Sequence, residues 1–184
     1  MARTESAMLA LGTSAPDFAL PDVITERQIT TQAVAGPKGL LVMFICRHCP
    51  FVKHLEKALA QLGRDYKDSG IGIVAISSND AENYPDDAPK SLAQQARDLG
   101  FTFRYLYDET QEVAHAYDAT CTPDFFLFDS GLRLVYRGQF DDSRPGTGIP
   151  VTGKDLRGAM DALLAGKPVS PDQRPSMGCN IKWK

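Results

Sequence analysis

Cys46 and Cys49 are separated only by Arg47 and His48 and followed at once by Pro50. Two cysteines at this spacing support three readings: a dithiol/disulfide couple, half of a metal site, or two core residues with no chemistry. Their setting discriminates among these. Leu40 to Ile45 is a continuous apolar run of the kind a buried strand shows, and Val52, Leu55, Leu59, Leu62 and Tyr66 follow at steps of three and four, one face of a helix. The pair therefore lies where a strand hands over to a helix. There Cys46 is expected at or near the N-cap, where unpaired backbone N–H groups and the helix dipole favour its thiolate. Arg47 and His48 add positive or protonatable charge beside it. Cys49 is the natural resolving thiol, and Pro50 is tolerated in the first helical turn, where its missing N–H has no intrahelical partner anyway. A thiolate that forms and leaves readily is what thiol–disulfide exchange requires. A four-ligand metal site needs two more groups, and no second Cys-x-x-Cys exists to supply them. Cys121 or a histidine could complete one, so that reading stays open beside the redox one.

The elements around the motif read as an α/β chain. "IGIVAIS" is a second buried strand, "KSLAQQARDLG" a helix stopped by Gly100, "FRYLYD" a strand and "ETQEVAHAYDA" a helix. "DFFLFD", Ser130-Gly131 and "LRLVYRG" form a hairpin signature, "KDLRGAMDALLAG" is an amphipathic last helix, and residues 166–184 are expected to be an irregular tail. Strands alternating with helices and closing on a hairpin give parallel βαβ crossovers with an antiparallel edge. The 184 residues are expected to form one domain, 1–184. With 43% hydrophobic and 23% charged residues and a net charge of −3, the composition is that of an ordinary globular protein without a basic footprint, so neither nucleic acid nor membrane is an expected partner. The run from Met1 to Leu11 is too brief for a signal segment and no stretch approaches a membrane span, which makes the cytoplasm the expected location. In that compartment the four cysteines, at 46, 49, 121 and 179, are not a stapling framework.

Three stretches together resemble the thioredoxin-like superfamily, in its redoxin (AhpC/TSA-type) branch of peroxiredoxins and thioredoxin-type reductases: "APDF" at Ala15 to Phe18, Cys46 to Pro50, and "YDATCTPDFFLFD". The resemblance runs from about Ser14 to about Ala165, and "CxHCPFVKH", the "SSND…YPDDAP" loop and the "GCNIKW" tail resemble a subgroup of uncharacterised bacterial thioredoxin-like proteins. It implies a thioredoxin-like fold: a central mixed β-sheet flanked by helices, with an extended or hairpin-like N-terminal extension and a βαβ insertion. It also implies that Thr122-Pro123 is a cis-proline site whose Thr122 backbone lies against Cys46, ready to pair with an extended substrate. Departures narrow the reading. The Pro-x-x-x-Thr/Ser-x-x-Cys frame of peroxiredoxins is absent. The buried aspartate that thioredoxins carry before the motif is replaced at Leu40 or Met43, and the tryptophan before the first cysteine by Ile45. Proton handling for Cys49 then falls to water, His48 or an unidentified group.

The expected activity is thiol–disulfide exchange between the Cys46–Cys49 couple and a disulfide-bearing protein or small molecule, with no cofactor beyond a reductase or oxidant partner protein. Thiol peroxidase chemistry at Cys46, and a metal-binding or metallochaperone module using Cys46, Cys49 and a histidine, are the alternatives, with a redox-inert binding domain a third. Cys121, two residues before Pro123, is an auxiliary thiol, a third metal ligand or a buried small hydrophobe, and a Cys121–Cys179 bridge clamping the tail is a sharper expectation. His54 is expected on the solvent side of its helix and His115 to be structural. Trp183 is expected to anchor the tail. Asn79, Asp80, Asp86, Asp87, Asp141 and Asp142 are expected to be solvated loop groups before they are rim groups of the active-site face.

Overall fold

The computed structural model describes residues 3–184; Met1 and Ala2, which open the first apolar run, lie outside them. In chain order the elements are β1 (Arg3–Glu5), β2 (Ala19–Pro21), β3 (Gln28–Thr30), α1 (Thr31–Val34), β4 (Gly39–Phe44), α2 (Pro50–Asp65), β5 (Ile71–Ser77), α3 (Pro89–Leu99) and β6 (Arg104–Tyr107). There follow α4 (Glu112–Ala116), β7 (Cys121–Thr122), β8 (Asp124–Asp129), β9 (Leu134–Gly138), α5 (Lys154–Leu164) and β10 (Met177–Asn180). A 3-10 turn, Pro85–Asp87, precedes α3.

The five-stranded sheet has the order β6-β5-β4-β8-β9. β4 and β5 pair in parallel from Gly39↔Ile71 to Phe44↔Ile76, and β4 and β8 pair antiparallel from Gly39↔Asp129 to Phe44↔Asp124. β4 is the middle strand and every residue in it is buried. Its continuous apolar run has this cause: successive side chains point to opposite faces, and both faces are covered. Leu41 and Met43 join the cluster built with Val52, Leu55, Leu59 and Leu62 of α2 and Leu156 and Met160 of α5. Leu40, Val42 and Phe44 join the other, with Val113 and Ala114 of α4 and Tyr117. The sheet is thus mixed and flanked by helices, and the antiparallel hairpin β2–β3 is the extended N-terminal segment.

Two expectations are corrected. The "ETQEVAHAYDA" helix is only five residues long, because Gln111 sits outside it in a left-handed backbone conformation. From there its amide Nε2 donates to the carbonyls of Ser78 at 2.7 Å and Lys182 at 2.8 Å, clamping the end of the chain to the body. The tail 166–184 is not irregular throughout: β10 is the central strand of a second sheet, ordered β1-β10-β7. Its register places Cys179 opposite both Arg3 and Thr122.

Candidate functional site

Pro50 decides how the motif is built. Proline has a preset φ and no N–H, which suits the first helical position, and it pushes the preceding residue into extended backbone. Accordingly α2 starts at Pro50, and Cys49 is its N-cap with φ −67° and ψ 124°. This corrects the expectation for Cys46, which lies three residues upstream in the turn after β4. The Pro50 signal could have located the cap. Both thiols are 0% exposed.

The charge distribution follows that shift. Burial, the hydrogen bond to Cys49 and the field of Asp87 push the Cys46 thiol well up. Cys49 falls to about 5: the hydrogen bond from the Cys46 thiol is the main cause, the Cys179 thiol and the Val52 backbone help, and burial opposes. The pair therefore shares one negative charge, held on Cys49 at the helix end. In its protonated form Cys49 donates to the Thr122 carbonyl, 3.3 Å away. A titration of ultraviolet thiolate absorbance on the reduced protein should show one thiolate appearing near pH about 5. Absence of any thiolate signal until pH 9.0 would contradict this assignment. Because the folded value lies below the reference of 9.0, this group adds stability in full above pH 9.0, and that contribution is lost as pH falls through about 5.

Arg47 is engaged away from the thiols, while a His48 ring nitrogen lies within 4.8 Å of Cys46 Sγ, beside the thiol as expected. The Arg47 guanidinium donates to the Ser91 carbonyl at 3.1 Å, and His48 Nδ1 hydrogen-bonds Asp87 Oδ2 while its ring stacks on Tyr84. Asp87 organises the turn. Its Oδ1 accepts from the backbone N–H of Arg47 at 2.8 Å and of His48 at 3.1 Å, and its Oδ2 also accepts from Asn79 Nδ2 at 2.8 Å. Asp87 is 0% exposed and Asn79 2%, which corrects their reading as solvated loop groups, as does burial of Asp80 and Asp141. Asp86 is exposed. The sequence reading ranked Asp87 as a solvated loop group ahead of a rim group of this site, and nothing in "YPDDAP" separates the two aspartates. Asp124, at the start of β8, is another buried acid, and that burial pushes its carboxyl well above the usual range.

Cys46 Sγ, a His48 ring nitrogen and an Asp87 oxygen lie within 4.8 Å of one another, so this trio could in principle hold a cation. Asp87 replaces the Cys49 of the expected ligand set. Asp87 also accepts the backbone N–H groups of Arg47 and His48 and the Asn79 amide, so it is held by the turn as well as by this trio.

The Thr122–Pro123 peptide bond is cis. Thr122 touches both thiols, through Oγ1 at 3.3 Å from Cys46 Sγ and through its carbonyl near Cys49. The edge that an extended substrate was expected to use is filled by the chain's own β10. Cys179 projects from β10 to 2.8 Å from Cys49 Sγ. The expected Cys121–Cys179 bridge does not occur. In this register Cys179 is opposite Thr122 and Asn180 opposite Cys121, so the side chains of Cys121 and Cys179 leave on opposite faces. Cys121 is buried with its thiol pushed up by that burial, and contacts the Pro123 carbonyl. His54 is part-buried rather than solvent-facing, with Nε2 3.1 Å from Ser143 Oγ. Trp183 stacks on His115, ring centroids 4.2 Å apart, and so ties the tail to α4.

Gly178 sets the fit of β10. A Cβ there would lie 1.9 Å from the Thr122 carbonyl oxygen, which is backbone and cannot swing away. Gly178→Ala should therefore cost about 1–3 kcal/mol or more and lift β10 off β7, read as a lower urea midpoint and faster alkylation of Cys49. Unchanged alkylation would contradict this closeness.

Comparison with known proteins agrees with this architecture. Residues 11–137 match the AhpC/TSA family. The thiol-disulfide oxidoreductase ResA of Geobacillus kaustophilus is 28% identical over 127 residues, 68% of this chain and 67% of that protein. The solved structure of an uncharacterized conserved protein from Geobacillus kaustophilus superposes with a TM-score of 0.98 at 55% identity, covering 100% of this chain and 97% of that one. A hypothetical protein from Sinorhizobium meliloti gives a TM-score of 0.96 at 49% identity over 98% of each chain. A thiol-disulfide oxidoreductase from Bacteroides fragilis shares the thioredoxin-like fold, with a TM-score of 0.63 at 18% identity over 82% of this chain and 99% of that one.

Proposed function

This chain belongs to the AhpC/TSA family, and from that premise we propose that it is a thiol–disulfide oxidoreductase exchanging electrons between a Cys46–Cys49 couple and the disulfides of proteins or small molecules. The observation that carries the reading is the hydrogen-bonded pair of thiols, one stabilised as an anion at a helix N-terminus, with Thr122 of the cis-proline loop against both. The similarity to the ResA proteins, at 28% and 26% identity, supports the same class of chemistry. In the reducing direction, Cys46 passes its proton along the hydrogen bond to Cys49 and attacks one sulfur of the substrate disulfide. The substrate S–S bond breaks, a Cys46 mixed disulfide forms, and the leaving thiolate takes the proton from Cys49. The Cys49 thiolate then attacks Cys46 Sγ, closing the Cys46–Cys49 disulfide and releasing the second substrate thiolate. Two electrons have moved from protein to substrate, and a reductase or small-molecule thiol restores them. The oxidising direction is the reverse. Operation in the cytoplasm, where thiols are held reduced, fits this cycle.

Thiol peroxidase activity is the second reading, supported by the family match. Against it stands the absence around Cys46 of the Pro-x-x-x-Thr/Ser-x-x-Cys frame of peroxiredoxins. The experiment that tests the proposal compares turnover of a protein disulfide such as insulin with turnover of hydrogen peroxide, each coupled to dithiothreitol. Disulfide reduction well above the uncatalysed rate supports it, and peroxide turnover with no disulfide turnover overturns it.

A further inference from the structure

Cys179 is not needed by a two-thiol cycle, yet it is built into the site. Its sulfur is 2.8 Å from Cys49 Sγ although the two are 130 residues apart in the chain. β10 holds it there, pairing Cys179 with Thr122, at the backbone edge where the cis-proline loop was expected to align a substrate. Gly178 lets that strand approach closely enough, since any Cβ would meet the Thr122 carbonyl. On its outer side Cys179 lines a groove of about 290 Å³ together with Arg3, Pro50, Phe51, Arg144 and Met177; Cys46 and Cys49 do not line it. Cys179, itself only 3% exposed, is the member of the three-thiol cluster that borders this groove.

We propose that Cys179 is a third exchange thiol, which takes over the disulfide as Cys49–Cys179 and passes it to a small-molecule thiol arriving through this groove. The inference rests on the oxidoreductase reading and names the route by which the couple is re-reduced. In the first step the Cys179 thiolate attacks Cys49 Sγ of the Cys46–Cys49 disulfide. The Cys49–Cys179 bond forms, the Cys46–Cys49 bond breaks, and Cys46 leaves as a thiolate that takes up the proton Cys179 gave to solvent. No net oxidation occurs. In the second step an external thiolate of the glutathione class attacks Cys179 Sγ and Cys49 leaves as the thiolate the helix end favours. A second external thiol then releases Cys179, so two external thiols become one disulfide and the protein regains two thiols. Burial and the neighbouring Cys49 push the Cys179 thiol up to about 12, with Lys182 acting in the opposite sense. Loss of the Cys49 charge on oxidation removes part of that penalty, so Cys179 is readied when the disulfide to be opened is present.

The test uses folded full-length protein in oxidised glutathione, with alkylation and peptide mapping. Cys46→Ser protein should give a Cys49–Cys179 linked peptide. Oxidised wild-type protein should leave Cys46 about tenfold more alkylatable than oxidised Cys179→Ser protein does. Finding Cys49 and Cys179 unlinked in the Cys46→Ser protein, or equal Cys46 labelling in the other two, overturns the inference. Failure of the oxidoreductase reading looks different: Cys179→Ser protein would then form no Cys46–Cys49 link, whatever Cys49 and Cys179 do in the Cys46→Ser protein.

Discussion

Replacing Cys46 by serine is expected to lower the rate of protein-disulfide reduction by about a thousandfold or more, to the level of the uncatalysed exchange. The size of the loss follows from the chemistry: in the proposed cycle Cys46 alone forms the mixed disulfide with a protein substrate, whereas Cys179 exchanges with small-molecule thiols. Cys49→Ser should fail differently. Cys46 can still attack, but nothing adjacent closes the cycle, so the protein should accumulate as a covalent adduct with its substrate, visible by intact mass. The same change removes the base that receives the Cys46 proton, so adduct formation should be slow and should speed up as pH rises. If both serine variants retained near-wild-type turnover, the reaction would have to run elsewhere in the molecule.

The largest expected effect on stability is at Asp87. Its carboxylate is fully buried and accepts two backbone N–H groups of the motif turn, the His48 ring and the Asn79 amide. Asp87→Ala leaves these donors buried without an acceptor. Breaking such a buried, hydrogen-bonded charge contact costs about 3–5 kcal/mol. For a chain of this length that lowers Tm on the order of 10 °C. The check is urea unfolding with an unchanged m-value, so that the shift in midpoint reads as stability. Because the Asp87 charge is one of the causes that raise Cys46, the surviving folded protein should also show a lower Cys46 pKa. A loss below about 1 kcal/mol, as for an exposed charge, would mean that Asp87 is solvated after all.

The central strand, the motif turn and α2 were legible because each leaves a local mark. β4 is apolar on both faces because both faces are covered, and α2 carries its buried residues on one side at helical spacing. The position of Cys49 at the helix cap was readable too, from Pro50, although weight fell on Cys46. Asp87 was not. It and Asp86 are neighbours of the same type, and only the 3-10 turn Pro85–Asp87 decides which of them points inward. Cys179 was visible as a thiol, but its partner was not. "MGCN" is too short for a periodic signal, it sits in a tail rich in proline, and its pairing with β7 is set by register across the whole chain. Face alternation in that register, which no sequence pattern encodes, is what separates Cys179 from Cys121 and brings it to Cys49.

The measurement that bears most directly on the central claim is a redox titration of Cys179→Ser protein in glutathione buffers, with thiols trapped by alkylation and each cysteine mapped. Removing Cys179 isolates the proposed couple from its third thiol. The account predicts that Cys46 and Cys49 lose their thiols together in a single two-electron transition, as a Cys46–Cys49 disulfide, while Cys121 stays reduced in its buried site. A midpoint near about −270 mV would mark a reductant, and one near about −180 mV an isomerase or oxidant. Cys46 and Cys49 titrating independently, each as a mixed disulfide with glutathione and never linked to each other, would contradict it.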